Sequence, residues 1–129
     1  MNTETKIYIN NDLDIVMARM QAREAAKEMG FSTADQARIS LAASELARML
    51  SWTIREPSEI TISKTSRNGQ EGLQVVCMAL LETISPENEA DQDSAPSRSF
   101  AGACRLVDES SVDVQNNQQA RVTLIKWLT

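Results

Sequence analysis

The chain carries few of the side chains that perform covalent or metal chemistry. It has no histidine, which excludes Ser-His and Cys-His catalysis and removes the commonest transition-metal ligand. Its two cysteines, Cys77 and Cys104, are far apart and form no CxxC motif, so neither a zinc site nor a redox pair is indicated. Because free cysteines are usually buried, we expect two buried thiols without a chemical role.

Length and composition predict a single folded domain over residues 1–129. A chain of 129 residues is large enough to bury a core and too short for two ordinary domains. Its 42% hydrophobic and 24% charged residues are near the globular average, which argues against disorder and against a coiled coil. A net charge of -5 has the wrong sign for binding a phosphate backbone, so we expect no nucleic-acid partner.

The sequence also indicates a cytoplasmic location. The N-terminal segment MNTETKIYIN lacks a basic region followed by an apolar run, which a secretion signal requires. No stretch approaches the ~20 consecutive apolar residues of a membrane-spanning helix. We therefore expect a cytoplasmic protein without a membrane segment.

A short strand and a long helix are predicted at the start of the chain. The strand covers Lys6 to Asn10, and the helix covers Leu13 to Met29. Asn11 and Asp12 can cap the start of this helix, and Gly30 can end it in a left-handed conformation. Small and apolar residues recur at intervals of three and four, which predicts the buried face: Ile15, Ala18, Ala22, Ala25, Ala26 and Met29.

A second helix is predicted directly after the first. Ser32 and Asp35 resemble a capping box at its start, and it should end near Thr53, before Pro57. The same spacing rule predicts its buried face: Ile39, Ala42, Ala43, Leu46, Met49, Leu50 and Thr53.

The second half of the chain changes to the period of two that strands show. Two strands are predicted on either side of the turn dipeptide Asn68-Gly69, with an apolar run over Leu73 to Met78 in the second. A polar loop follows over Ser85 to Ser99, with four acidic residues in Glu87 to Asp93. A short helix over Phe100 to Glu109 and two last strands, over Val112 to Gln115 and Arg121 to Leu128, complete the prediction. This order of elements predicts an α+β fold, a two-layer sandwich with a mixed or antiparallel sheet and helices on one face.

Three segments resemble a known family. They are DIVMARMQAREAAKEMGFSTADQARISLAASELAR over residues 14–48, CRLVDE over 104–109 and IKWL over 125–128. In these segments the chain is similar to the RsbT/RsbW-type anti-sigma and switch-protein serine kinases, a branch of the GHKL (Bergerat-fold) ATPases. The resemblance covers nearly the whole chain and implies a histidine-kinase-like ATPase fold.

The family's second helix carries a Glu-x-x-x-Asn motif, in which Glu is the general base and Asn provides an oxygen to magnesium. Residues four apart share a helix face, which explains this spacing. Glu45 stands at the Glu position, but Met49 stands at the Asn position. Magnesium requires hard oxygen ligands, and a thioether cannot replace them. Glu45 is therefore interpreted as an idle match to the general base, with a working base as the alternative.

The family's other nucleotide motifs are also replaced. Its Asp-x-Gly-x-Gly motif, which reads adenine, corresponds to Ala79, Leu81 and Thr83. Its glycine-rich phosphate loop should precede the short helix, where only Gly102 is retained. The family's last glycine-containing motif corresponds to residues 117–120, which here are Asn117, Gln118, Gln119 and Ala120. The resemblance thus implies a degenerate domain with no bound cofactor, ATP and magnesium remaining only under the alternative of a rearranged site.

The resemblance implies a partner-binding surface on the first helix, where the family uses an arginine at the position of Arg19. Val16, Met20 and Arg23 surround it, with Lys27 further along, on the face opposite the alanines. Either these residues bind a protein partner, or Val16 and Met20 fill core gaps and the cations are a solvated rim. Implied partners are a STAS-domain antagonist, a PP2C-type phosphatase or a sigma factor.

Three functions remain as hypotheses. The first is a non-catalytic pseudo-kinase that binds a signalling partner without ATP. The second is a residual serine/threonine kinase with a rearranged ATP site, and the third is a structural subunit that oligomerises through its helices, as a homodimer for example. Trp52 and Trp127 are expected to pack at the ends of their elements, with an interface role as the alternative. The acidic segment is expected to be solvated, with docking of a basic partner as the alternative.

Overall fold

The computed structural model describes residues 4–53, 58–85 and 93–129. One five-stranded sheet has the order β1-β2-β3-β5-β4, and each neighbouring pair is antiparallel. The strands are β1 Glu4–Ile9, β2 Ser58–Arg67, β3 Gln70–Leu80, β4 Glu109–Val114 and β5 Gln119–Trp127, and the helices are α1 Asp12–Met29, α2 Thr33–Thr53, α3 Leu81–Ile84 and α4 Ala95–Arg105. The predicted α+β sandwich is confirmed.

The two ends of α1 are fixed by the residues that the sequence indicated. The Asn11 side chain accepts a hydrogen bond from the Asp14 backbone N–H at 3.2 Å, and Asp14 Oδ2 accepts from the Asn11 N–H at 3.1 Å. This reciprocal pair is a capping box. At the other end Gly30 has φ 90°, a left-handed conformation that glycine adopts without strain. Asp12 is the first residue of the helix and not its cap.

The start of α2 follows the predicted capping box only in part. The Ser32 hydroxyl accepts a hydrogen bond from the Asp35 N–H at 3.2 Å. The Asp35 carboxylate instead lies 2.8 Å from Arg38 and 3.6 Å from Lys126, which also contacts Asp108 at 3.0 Å. The carboxylate therefore joins the start of α2 to the end of β5.

The core lies between the helices and one face of the sheet. Ala18, Ala22 and Ala26 of α1 are fully buried, and such small side chains let α1 approach α2 closely. Only Gly30 to Ser32 separate the two helices, so they form an antiparallel pair. On the sheet, β3 alternates between buried and half-buried residues, and its buried face completes the cluster: Leu73, Val75, Cys77 and Ala79.

The β2–β3 hairpin turns at the dipeptide that the sequence singled out. Asn68 has φ 53° and Gly69 has φ 82°. Positive φ at both central residues is typical of the type I′ turn, whose twist suits the flanking strands. The predicted hairpin is confirmed.

The loop predicted over Ser85 to Ser99 is wrong at its C-terminal end. Helix α4 begins at Ala95 and not at Phe100, and Glu109 lies in β4 and not in the helix. The Ser94 hydroxyl accepts from the Ser97 N–H and caps the helix. Proline has no backbone N–H, but the N–H groups of a helix's first turn have no acceptor within the helix, so a proline is tolerated there. Pro96 therefore marks the start of α4 and not a loop. Residues 86–92, with most of the acidic segment, and Pro57 lie outside the described residues.

The last two strands also begin earlier than predicted. β4 starts at Glu109, three residues before the predicted Val112, and β5 starts at Gln119. The polar segment between them turns on Asn116, whose Oδ1 accepts the N–H groups of Gln118 and Gln119 at 2.8 and 2.9 Å. The first residues of both strands are largely polar, so the alternation of apolar and polar residues that indicates a strand is weak there, and the predicted strands start too late.

Candidate functional site

Two of the positions matched to the family's nucleotide motifs lie inside the core. Met49 of α2 is 0% exposed and Ala79 of β3 is 1% exposed, and both belong to the main apolar cluster. Ala79 faces Ala120 of β5 across the sheet. Their side chains therefore contact other core groups, and neither offers a polar atom to a nucleotide or a metal.

The other two matched positions lie in α3, against α4. The Leu81 N–H donates to the Gln118 carbonyl at 2.7 Å, which ties the start of α3 to the β4–β5 turn. Thr83 is buried, and its carbonyl accepts from the Ser97 hydroxyl at 2.8 Å. α4 packs along α2, with Ala103 fully buried between them. Leu81 and Thr83, at the two glycine positions of the family's motif, are thus engaged in the contact with the β4–β5 turn and in the packing of α3 against α4.

The segments matched to the phosphate loop do not form a loop with free amides. Gly102 lies within α4, and a Cβ placed on it would meet nothing within 4 Å, so no close approach of backbone to a ligand requires a glycine there. In the β4–β5 turn, the N–H groups of Gln118 and Gln119 are already bound to Asn116 Oδ1. These amides are therefore occupied within the protein.

Glu45 lies on the exposed side of α2 and is ion-paired. Its carboxylate is 3.2 Å from Arg48, three residues further along the helix. The side chain retains 26% exposure, so solvent reaches it. Glu45 is therefore a salt-bridged, partly exposed side chain of α2, and its carboxylate remains accessible to solvent.

The first helix carries an exposed apolar stripe. Val16 and Met20, singled out from the sequence, are 37% and 58% exposed, so neither fills a core gap. Sequence reasoning missed Leu13 and Met17, which are 67% and 38% exposed. At about 100° per residue, the four side chains fall within about 100° of arc opposite the buried alanines. Their spacing of three and four was the signal that could have found them.

Three cations flank this stripe on one side. Arg19, Arg23 and Lys27 are exposed and spaced by four residues along α1, which places them in a line on the helix surface. None of the three forms an ion pair with another residue in the described ranges. The structure therefore brings together the predicted partner residues Val16, Arg19, Met20 and Arg23 on one exposed surface.

The two tryptophans differ in their surroundings. Trp127 is 9% exposed; its ring lies 5.0 Å below the Arg67 guanidinium, and its Nε1 donates to Glu109. Trp52 is 52% exposed, so the expectation that it packs is wrong. Trp52 is the last residue of a stripe on α2 that is exposed or half-buried. The other members, at intervals of three and four, are Leu41, Glu45 and Arg48.

The thiols and acids of the described ranges do not form a reactive or metal-binding centre. Burial raises the pKa of the Cys77 thiol to about 12 and also raises the pKa of Cys104, which disfavours the reactive thiolate. Cys104 is only half-buried, so the expectation of full burial is wrong for it. Within residues 4–53, 58–85 and 93–129, no three cysteine or acidic residues are grouped to hold a metal ion.

Comparisons with known proteins identify the family. No protein-family model matches the chain. The chain is 33% identical over 133 residues to a protein of Bacillus subtilis (strain 168) named serine/threonine-protein kinase RsbT, and the alignment covers 99% of each chain. Among the helices of the described ranges, none combines the length and apolarity that crossing a bilayer requires. The 33% identity over nearly the whole of both chains shows that this chain belongs to the RsbT family.

Proposed function

We propose that this chain is a non-catalytic pseudo-kinase, a binding module of bacterial partner-switching signalling in the stress response or in sigma-factor control. It acts in the cytoplasm, binds a protein partner through α1 and needs no ATP. By its family, the partner is a STAS-domain antagonist, a PP2C-type phosphatase or a sigma factor. The name of the Bacillus relative supports the signalling context.

The observation that carries this proposal is the burial of Met49. The family places an asparagine at this position as an oxygen ligand for magnesium. Here a thioether occupies it and is 0% exposed within the apolar cluster. The replacement is therefore integrated into the core packing of α2, and a buried apolar position is a poor place for a hydrated cation.

The size of the combined losses supports weak or absent nucleotide binding. Each unreplaced polar contact to a ligand costs roughly 1–3 kcal/mol. Losing the adenine acceptor at Ala79, the metal ligand at Met49 and the phosphate amides together costs more than about 5 kcal/mol. Since 1.4 kcal/mol is a factor of ten in affinity, a site of about 1 µM becomes one of several mM or weaker.

The exposed surface of α1 supports partner binding. Four large apolar side chains on one helix face are exposed to water in the isolated chain, and contiguous apolar patches of this kind mark interaction sites. The adjacent cations at Arg19 and Arg23 are available for a partner's charges. A surface of this composition is more consistent with a binding function than with a solvated rim.

Thermal melting with and without millimolar Mg-ATP tests the loss of nucleotide binding. A ligand that binds only the folded state raises the melting temperature. We expect no change beyond that caused by the added salt, with Mg-AMP at matched ionic strength as the control. A magnesium-dependent rise of several degrees would refute the proposal.

Binding to purified STAS-domain, PP2C and sigma-factor candidates tests the partner function. Arg19→Ala and Met20→Ala are expected to weaken the cognate interaction at least about tenfold, measured by calorimetry without nucleotide. Lys64→Ala, an exposed cation on β2, is the control and should bind normally. A complex that forms only with ATP, or that ignores both α1 variants, would count against this function.

A residual serine/threonine kinase with a rearranged ATP site is the second candidate. The observations that favour it are the kinase name of the relative and the partly exposed Glu45 carboxylate on α2. Transfer of labelled phosphate from ATP to a STAS partner, abolished by Glu45→Ala, would establish it. If the chain is a non-catalytic pseudo-kinase, neither the wild type nor Glu45→Ala transfers phosphate above background.

A further inference from the structure

We infer that β4 is an edge for self-association, through which two copies of this chain pair in a symmetric dimer with one continuous sheet. The strand stands last in the sheet order and is paired with β5 on one side. In the part of the chain that the structure describes, no strand pairs with its other side. The occupant of that side is a second copy of β4, in antiparallel orientation.

The hydrogen bonds between β4 and β5 show which backbone groups of β4 point away from the sheet. The Gln115 N–H donates to the Gln119 carbonyl at 2.9 Å, in the same register as the β4–β5 pairs. In an antiparallel ladder, successive residues point their N–H and C=O groups alternately at one neighbour and at the other. The groups of Ser110, Val112 and Val114 therefore point to the open side, where a further strand would bind.

Apolar side chains accompany these unpaired backbone groups. Val112 and Val114 are 45% and 57% exposed. They lie opposite Val122 and Ala120 of β5, which are both fully buried, so they continue the core face of the sheet beyond the helices that cover it. Exposed apolar side chains beside unpaired N–H and C=O groups are typical of an edge that pairs with another chain.

The opposite edge of the sheet is protected against such pairing. On β1, Lys6 Nζ lies 3.6 Å from Glu4 and 3.8 Å from Glu59, and a lysine on an edge strand opposes pairing with another chain. Ile9 is 3% exposed, and α1 packs over this strand. β4 has no lysine, arginine or proline. Its two acidic side chains lie on the other sheet face from the valines, because side chains alternate along a strand.

The residue pattern of β4 is complementary to itself about Val112. When Val112 faces Val112 of the second copy, Ser110 faces Val114 on the same sheet face, and Ser111 faces Asp113 on the other. The residues with outward backbone groups then form hydrogen-bonded pairs, and two bonds in each pair give about six bonds across the interface. Opposite Cβ atoms in such pairs are about 5 Å apart, so the two Val112 side chains contact each other.

The charges of β4 select this register. Shifting the pairing by two residues in one direction places Asp113 opposite Asp113 of the second copy. A shift in the other direction places Asp113 opposite Glu109. Like charges directly opposite each other destabilise a strand pair, whereas the register centred on Val112 places no carboxylate opposite another.

The interface predicts a weak dimer that leaves the exposed stripe of α1 accessible. Pairing over a strand of 6 residues buries less than the roughly 1,600 Å² of a standard interface, so we expect a Kd of about 10–100 µM. α1 packs over β1 and β2, at the far end of the sheet from β4. With strands about 4.8 Å apart, the two α1 helices of a dimer are more than about 30 Å from each other.

Sedimentation equilibrium and amide hydrogen exchange at increasing protein concentration test the inference. Between about 5 µM and 1 mM, the average mass should rise from that of one chain toward that of two. Over the same range, exchange at the amides of Ser110, Val112 and Val114 should slow at least about fivefold. The amides of Ser111 and Asp113 point at β5 and should change little.

Charge substitutions at the centre of the interface provide the matched variants. Val112→Lys places two like charges opposite each other and should weaken association at least about tenfold. Tyr8→Lys makes the same change at a side chain of β1 that is 59% exposed, and it should associate like the wild type. An equimolar mixture of Val112→Lys and Val112→Glu chains should associate although neither does so alone, because opposite charges then face each other. Circular dichroism checks that each variant is folded.

A mass of one chain up to 1 mM would overturn the inference, whatever else binds this edge. So would association that survives Val112→Lys, slowed exchange confined to elements other than β4, or a mixture of the two charge variants that stays monomeric. Association lost in Arg19→Ala or Met20→Ala would also contradict it, because α1 lies far from β4. These measurements need neither nucleotide nor partner, so their failure and the failure of the proposed function are distinguishable.

Discussion

Restoring the family's asparagine at position 49 tests whether a nucleotide site lies behind the substitution. Met49 is 0% exposed and belongs to the apolar cluster between α2 and the sheet. In a functional family site the amide would reach a hydrated magnesium ion. In this chain Met49→Asn places the amide among apolar side chains of the core.

The expected cost follows from two contributions. Removing the buried methionine side chain forfeits about 1.5–3 kcal/mol of apolar burial. Burying an amide without partners adds roughly 1–3 kcal/mol. Met49→Asn should therefore destabilise the protein by about 2.5–6 kcal/mol, a large part of the 5–15 kcal/mol of a typical domain. Met49→Leu conserves volume and apolarity and should cost less than about 1.5 kcal/mol.

Urea denaturation followed by circular dichroism measures both variants, with and without 5 mM Mg-ATP. We expect a large fall in the midpoint for Met49→Asn, a small one for Met49→Leu, and no effect of Mg-ATP on either. A loss of less than about 1 kcal/mol for Met49→Asn would contradict this expectation, because burying an amide without hydrogen-bond partners costs at least that much. Stabilisation of Met49→Asn by Mg-ATP would equally contradict it, since it would reveal a latent metal site.

Three further predictions concern the framework that holds these surfaces. Gly72→Ala should cost about 1–3 kcal/mol, because its Cβ would lie 2.7 Å from Trp127 Cε3; urea midpoints should show no comparable loss for Gly102→Ala, whose Cβ has open space. The hydrogen bond from Arg38 holds the pKa of the Asp35 carboxyl below its usual value; Lys126 adds to this effect, and burial opposes it. A carboxyl group whose folded pKa is depressed stabilises above its unfolded pKa and loses this contribution as pH falls through the folded value, so between pH 5 and pH 3 the wild type should lose more melting temperature than Asp35→Asn, and parallel curves would contradict this. Ser94→Ala removes the α4 cap and should cost about 1 kcal/mol, seen as faster hydrogen exchange in α4 than in β3, whereas unchanged exchange would argue against the cap.

The sequence predicted the N-terminal half of the fold closely because local chemistry determines it. Asn11, Gly30 and Ser32 act through contacts with residues at most five positions away, and the hairpin at Asn68-Gly69 depends on two dihedral angles. The C-terminal half was predicted less well. Pro96 and the polar residues around it read as loop, although the Ser94 cap turns them into the first turn of α4.

The candidate site divides in the same way. The position of Val16 and Met20 opposite the alanines of α1 left two alternatives, a binding surface or the filling of core gaps, and only the structure shows that both side chains are exposed. Trp52 could not be placed, because its exposure depends on which side of α2 the neighbouring helices leave open. The Lys126 contacts with Asp35 and Asp108 join residues about 90 and 18 positions apart, and no local pattern encodes such long-range pairs.

Equilibrium dialysis with labelled ATP tests the absence of a nucleotide site most directly. The wild-type protein is dialysed against ATP up to about 10 mM with excess magnesium, and a folded ATP-binding relative serves as the positive control. We expect bound ATP to rise linearly without saturation, because more than about 5 kcal/mol of contacts to the nucleotide is missing. Saturable, magnesium-dependent binding of one ATP per chain below about 1 mM would contradict it.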